Sequence, residues 1–201
     1  MKYPKACLTV CLISLASLAP SAVLAQKAAT ATTDKEVKTS EVTIKDLVLK
    51  VPENWTKEKS TSSMRLATYS TPTVGDDKER GELTIFSFRG GGGEVGANLE
   101  RWVQQFDGKG RTAKMVKGKA GDNVYYLADI SGTFNKSVGP PIMRKTEARP
   151  GYRMLGVILV LEGKGVYYLK LAGPDASIKA QAKAFRNSFG GKADSEEDFG
   201  A

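Results

Sequence analysis

Histidine is absent from all 201 residues, and the only cysteines are Cys7 and Cys11. Without histidine, the usual Ser-His and Cys-His nucleophile pairs cannot be built, and ordinary zinc sites lose their main ligands. Both cysteines fall in a segment that reads as an export signal, so the mature chain has no thiol with which to form a disulfide. Its fold must rest on packing alone. A domain of ~150 residues is large enough for that, since it buries roughly two-thirds of the surface its unfolded chain exposes.

The export reading rests on a short n-region with Lys2 and Lys5, followed by the uncharged, largely apolar stretch Ala6 to Ala19 and then Pro20. Val23-Leu24-Ala25 presents small residues where a signal peptidase cuts, which places cleavage after Ala25. No transmembrane segment is expected after cleavage, and the destination is the periplasm or the extracellular space. Residues 26–41, rich in Ala, Thr and charge, read as a flexible leader, and residues 190–201 as an acidic disordered tail. One domain spans residues 42–189.

Within it, β-rich runs lie at Leu47–Val51, Met64–Ser70, Glu82–Phe88, Thr112–Lys117, Val124–Phe134, Tyr152–Leu161 and Val166–Leu171. The turn signals Gly121-Asp122-Asn123 and Glu162-Gly163-Lys164-Gly165 are short, so their flanking strands pair as antiparallel hairpins. Gly156 to Leu161 is apolar at consecutive positions, which point to opposite faces of a strand, so both faces of the sheet are expected to be covered. Two amphipathic stripes are available to cover them. Val95, Leu99, Trp102, Val103 and Phe106 follow helical spacing, as do Ile178, Ala182, Phe185 and Phe189 after Gly173-Pro174-Asp175. The expected class is α+β, an antiparallel sheet with helices on both faces.

Three segments together span nearly the whole domain and resemble the PsbP/Mog-like superfamily: residues 47–55 (LVLKVPENW), 151–156 (GYRMLG) and 167–174 (YYLKLAGP). Residues 64–67 (MRLA), 97–106 (ANLERWVQQF) and 131–134 (SGTF) are similar to a group of exported bacterial proteins of unknown function. The resemblance implies an α/β/α sandwich and a role in binding, stabilising or adapting other proteins. It transfers no catalytic residue. Metal binding in the photosystem branch uses histidine, which this chain lacks.

Gly91-Gly92-Gly93-Glu94-Val95-Gly96 matches a dinucleotide-binding pattern between a strand and a helix. Glu94 sits at the phosphate position, however, and antiparallel hairpins follow, so the run reads as a strand-to-helix turn or a binding lip. Remaining chemistry would need paired carboxylates, a Ser-Lys pair or an oxygen-ligated cation. Asp129, Glu100, Glu162 and Asp175 form no evident pair, and Asp76-Asp77 lacks EF-hand spacing. No catalytic, metal or cofactor residue is assigned, and a non-enzymatic protein is expected.

The net charge of +8 is clustered. Lys109, Arg111, Lys114, Lys117 and Lys119 form one basic run, while Lys136, Arg144, Lys145, Arg149 and Arg153 frame the segment Asn135 to Gly151, whose three prolines mark a stiff loop. Exposed-looking Ile142 and Met143 sit in that loop. No nucleic acid partner is expected, because no stacking-aromatic RNA-binding motif occurs and the compartment does not supply one. Candidate partner-binding residues are Lys136, Arg144, Lys145, Arg149 and Arg153, with Gly91, Gly92 and Gly93. The first reading is an exported adaptor or binding protein whose basic surface and 135–151 loop meet an acidic protein, anionic lipid or acidic polymer. The alternative is a small-ligand or envelope-polymer binder with a pocket near residues 90–96. An apolar-walled pocket there favours the second, and a flat basic face the first.

Overall fold

A computed structural model of the protein describes residues 37–200, apart from 61, 89, 90 and 140. The export signal and most of the leader lie outside the described residues. Strands β1 (Thr39–Ile44) and β2 (Leu47–Pro52) form a hairpin, with Lys45 in the left-handed region at φ 54° where the chain reverses. Thr39 pairs with Pro52, so the leader ends before residue 41. The alternation of Leu47, Leu49 and Val51 supplies an inward face that seats this otherwise polar segment.

The main sheet contains β3 (Thr56–Glu58), β4 (Ala67–Ser70), β5 (Glu82–Ser87), β6 (Thr112–Ala120), β7 (Asn123–Ser137), β8 (Thr146–Leu161), β9 (Gly165–Pro174) and β10 (Glu197–Asp198). Its order is β10-β6-β7-β8-β9-β5-β4-β3, antiparallel throughout. Both expected hairpins form, with Ala120 opposite Asn123 and Leu161 opposite Gly165. Helix α1 (Val95–Val103) joins β5 to β6, and α2 (Asp175–Ser188) follows β9.

Alternate positions of β8 enter different apolar clusters. Leu155, Val157 and Leu159 pack with Ile178 and Phe185 of α2, whereas Met154 and Ile158 pack with Leu99, Trp102 and Val103 of α1. The first cluster also receives the β1–β2 hairpin, fastened where buried Trp55 Nε1 donates to Gln181 Oε1 at 2.9 Å. Asp77 Oδ2 accepts from both the N–H (3.1 Å) and the Oγ (2.7 Å) of Ser177, so a distant carboxylate caps the start of α2.

Two expectations are corrected. Residues 135–151 are mostly not a loop: β7 and β8 extend past their neighbours and pair with each other as far as Ser137 opposite Thr146, leaving only a tight tip. The acidic tail is also ordered. Glu197 and Asp198 pair with Lys117 and Val116, Asp198 meets Lys114 at 3.3 Å, and Phe199 lies on Tyr126. Glu196 Oε1 accepts from Arg186 Nε at 2.7 Å and from the Tyr125 hydroxyl at 3.0 Å, with the Arg186 and Glu196 side chains only 15% and 11% exposed. Burial followed by the Glu196 charge raises the Tyr125 hydroxyl well above its ordinary range. Counting residue types found the charge of this segment but not its partners. Deleting residues 190–201 strands the Arg186 guanidinium in a largely buried site. The expected loss is about 2–3 kcal/mol, seen as a fall in Tm of roughly 5–10 °C by calorimetry.

Candidate functional site

The site is built from β5, the glycine turn, α1 and β9. Strand register sets Phe86 opposite Tyr168 and Thr84 opposite Lys170. Residues two apart on one strand share a face, so Tyr168 and Lys170 point to the α1 side, with Phe86 and Phe88 beside them. Phe86 and Phe88 stack at 6.3 Å between centroids, Phe88 meets Tyr168 edge-on at 5.4 Å, and Trp102 meets Tyr168 nearly at right angles at 6.4 Å. Trp102 can approach the sheet closely because residue 156 of β8 is glycine; a Cβ there would collide with its ring.

These side chains enclose a cleft of about 410 Å³ together with Gly92, Asn98, Arg101, Gln105 and Lys170. A second cavity of about 200 Å³ adjoins it, sharing Phe86, Gln105 and Lys170 as walls and adding Arg65, Arg80 and Glu82. Lys170 Nζ donates to Gln105 Oε1 at 2.8 Å. Among the described residues no carboxylate reaches ion-pair distance of it. Burial, followed by the nearby Arg65 charge and opposed by Glu82, pulls its ammonium down from 10.5 to about 8. At neutral pH it remains a cation set among aromatic rings.

The glycine turn forms the lip. Gly92, at φ 68°, lies so close to Tyr168 that a Cβ would stand 2.5 Å from the hydroxyl oxygen. The Tyr168 hydroxyl donates to the carbonyl of Gly91. Buried Asn98 holds the turn to α1, donating its Nδ2 to Gly92 O at 3.1 Å and Glu94 O at 2.9 Å, while its Oδ1 accepts from Arg101 at the mouth. With the surrounding sheet antiparallel, the glycine pattern has no parallel βαβ unit and serves as the lip of the cleft.

The predicted basic residues separate into two sets. Arg153, 15% exposed, donates its Nε to Asp175 Oδ1 at 2.8 Å and its Nη1 to Asp129, tying β7, β8 and α2 together. Arg149 is held by Glu79 at 2.5 Å and Glu147 at 2.9 Å. The charges of these two are matched inside the molecule. Arg111 likewise donates to the carbonyls of Val103 and Phe106 at the end of α1, both at 3.2 Å. Lys136, Arg144 and Lys145 are exposed, and Lys136 lines the second cavity. Of the glycines, Gly92 lines the cleft, Gly91 accepts the Tyr168 bond and Gly93 is exposed.

Sequence reasoning assigned no role in binding to Phe86, Phe88, Asn98, Arg101, Gln105, Tyr168 or Lys170, and read Trp102 as packing only. One signal was present: Lys170 interrupts the apolar run Val166 to Leu171 in a strand expected to be covered on both sides. Among the described residues no group of three or more acidic side chains could hold a metal ion, and no helix is long and apolar enough to cross a membrane.

No protein-family model matches the chain, and no curated protein matches it. The chain is similar to the solution structure of cyanobacterial PsbP (CyanoP) from Synechocystis sp., at 14% identity and a TM-score of 0.44, over 83% of this chain and 96% of that one. At this level the likeness carries no argument about family or activity.

Proposed function

We propose that this protein is an exported, non-enzymatic binding protein of α/β/α build, with α1 and α2 on opposite faces of its sheet. Its cleft between α1, β5 and β9 takes a small ligand with a flat apolar body and one anionic group. A single observation carries this reading: four aromatic side chains wall a cavity of about 410 Å³ whose cation, Lys170, has no carboxylate partner among the described residues. That volume lies within the ~300–1,000 Å³ of ordinary small-molecule sites, where apolar walls supply affinity and a few polar groups fix orientation. Rings of a ligand would stack against Phe86, Phe88, Trp102 and Tyr168. Its anion would meet Lys170 within the cleft or Arg101 at the mouth, where low dielectric strengthens the contact.

The adaptor reading draws less support, since Arg149 and Arg153 already face carboxylates within the chain. The location expected for the binding protein is the periplasm or the extracellular space, following from the N-terminal residues.

Anilinonaphthalene sulfonate and the uncharged phenylnaphthylamine make a matched pair of probes, alike in their rings and different in charge. Fluorescence titration is expected to give one site per chain, with the sulfonate binding about tenfold more tightly, equal to about 1.4 kcal/mol. Phe88 is 39% exposed at the mouth, so Phe88→Ala should leave the fold intact and weaken both probes severalfold. Absence of a one-to-one site, or identical isotherms for Phe88→Ala and the parent chain, would overturn the cleft as the binding site.

A further inference from the structure

The extended β7–β8 arm ends in an apolar, cationic tip. Asn135 N still donates to Gln105 O at 2.8 Å, but beyond it the two strands pair only with each other. Val138 N donates to Lys145 O at 2.9 Å and closes the base of the tip, while Arg144, in the left-handed region at φ 48°, turns the chain back toward β8. At the apex Ile142 is 90% exposed and Met143 70%, the two highest values among the large apolar side chains of the described residues. Arg144 and Lys145 follow directly, are exposed, and form no ion pair among the described residues. The arm's acid Glu147 is already committed to Arg149.

We infer that this tip docks the protein on an anionic bilayer surface, with Ile142 and Met143 entering the headgroup boundary and Arg144 and Lys145 meeting the lipid phosphates. Two independent arguments select a bilayer over a protein. The exposed apolar surface is two side chains on a narrow, projecting turn, far below the ~800 Å² that each partner contributes to a stable protein interface. A fluid headgroup layer needs no complementary pocket, and stable but reversible attachment to it takes two weak signals, one apolar and one cationic, both present here within four consecutive residues. The cleft is not required for this contact, so the inference stands apart from the ligand reading.

Flotation of the full chain with vesicles of phosphatidylglycerol or phosphatidylcholine tests it, with the segment Ala6 to Ala19 contributing equally to every variant. Association with phosphatidylglycerol is expected to exceed that with phosphatidylcholine about tenfold at low ionic strength and to weaken with salt. Arg144→Gln with Lys145→Gln should abolish that preference. Ile142→Asp with Met143→Asp should lower binding at least tenfold on phosphatidylglycerol, while Tm and binding of the sulfonate probe stay at parental values. Equal flotation of the parent and the double aspartate variant would overturn the proposal. So would self-association in size-exclusion chromatography that the aspartate pair dissolves, which would make the tip a contact between copies of the chain.

Discussion

Lys170→Met is expected to raise the melting temperature while removing the preference for an anionic ligand. The fold depresses the Lys170 ammonium from 10.5 to about 8, because burial disfavours its charge, Arg65 adds repulsion and Glu82 only partly offsets both. A depression of this size costs the folded state about 3 kcal/mol at neutral pH, and somewhat less after allowance for the solvent contact Lys170 retains. Methionine keeps much of the side-chain volume and removes the charge, so Tm at pH 7 should rise by roughly 5 °C. Sulfonate affinity should fall about tenfold, while uncharged phenylnaphthylamine binds as before. The sign can be checked through pH. Between about 8 and 10.5 the unfolded chain holds this proton more tightly than the folded chain, so parental stability gains with rising pH across that window. Lys170→Met lacks that gain, and its advantage shrinks as pH approaches 10.5. Over the same range the parent should lose sulfonate affinity as Lys170 deprotonates, whereas the guanidiniums of Arg65 and Arg101 keep their charge. A lower Tm with unchanged probe selectivity would make Lys170 a structural residue.

Arg153→Met is expected to act in the opposite direction, lowering Tm by roughly 6–10 °C with both probes binding normally. Arg153 lines neither cavity and joins Asp129 on β7 to Asp175 at the start of α2. Its loss leaves two carboxylates at a partly desolvated junction; breaking a buried pair costs ~3–5 kcal/mol, reduced here to about 2–3 because both carboxylates are nearly one-third exposed. Burial pushes the Asp175 carboxyl up, but Lys179 and Arg153 outweigh it and hold the group below 3.8. The stability supplied by ionised Asp175 is present above its unfolded value and lost as pH falls through its folded one. The difference between parent and variant should accordingly narrow below about pH 4. A constant difference down to pH 2 would show that lost packing of the arginine stem, rather than charge, is responsible.

Much of the framework was legible because its signals are local. Alternation marked β2, β-rich or continuous apolar runs marked β5, β8 and β9, short glycine turns marked the two hairpins, and helical spacing marked α1 and α2. Composition likewise excluded histidine chemistry without reference to any contact. The cleft was legible only in outline, as a pocket near the glycine run. Its walls come from Phe86, Trp102 and Tyr168, which meet only because β5 pairs with β9 and α1 crosses their shared face.

Charge was the least legible feature. Lys136, Arg144, Lys145, Arg149 and Arg153 look alike in sequence, yet Arg149 finds Glu79 and Arg153 finds Asp129 and Asp175, while Arg144 and Lys145 project from the arm. Likewise, the acidic tail looked unfoldable by composition until Arg186, Tyr125 and the edge of β6 supplied its partners. Sequence by itself determined the longer inner strands, both helices and the two hairpin turns, but not β1, β3, β10 or the extension of β7 and β8, since backbone periodicity is a property of neighbouring residues and those short or polar strands carry little of it. Only tertiary structure decided which cations are neutralised, how the tail is held and what lines the cleft, because each depends on strand register and crossovers that bring together side chains remote in sequence.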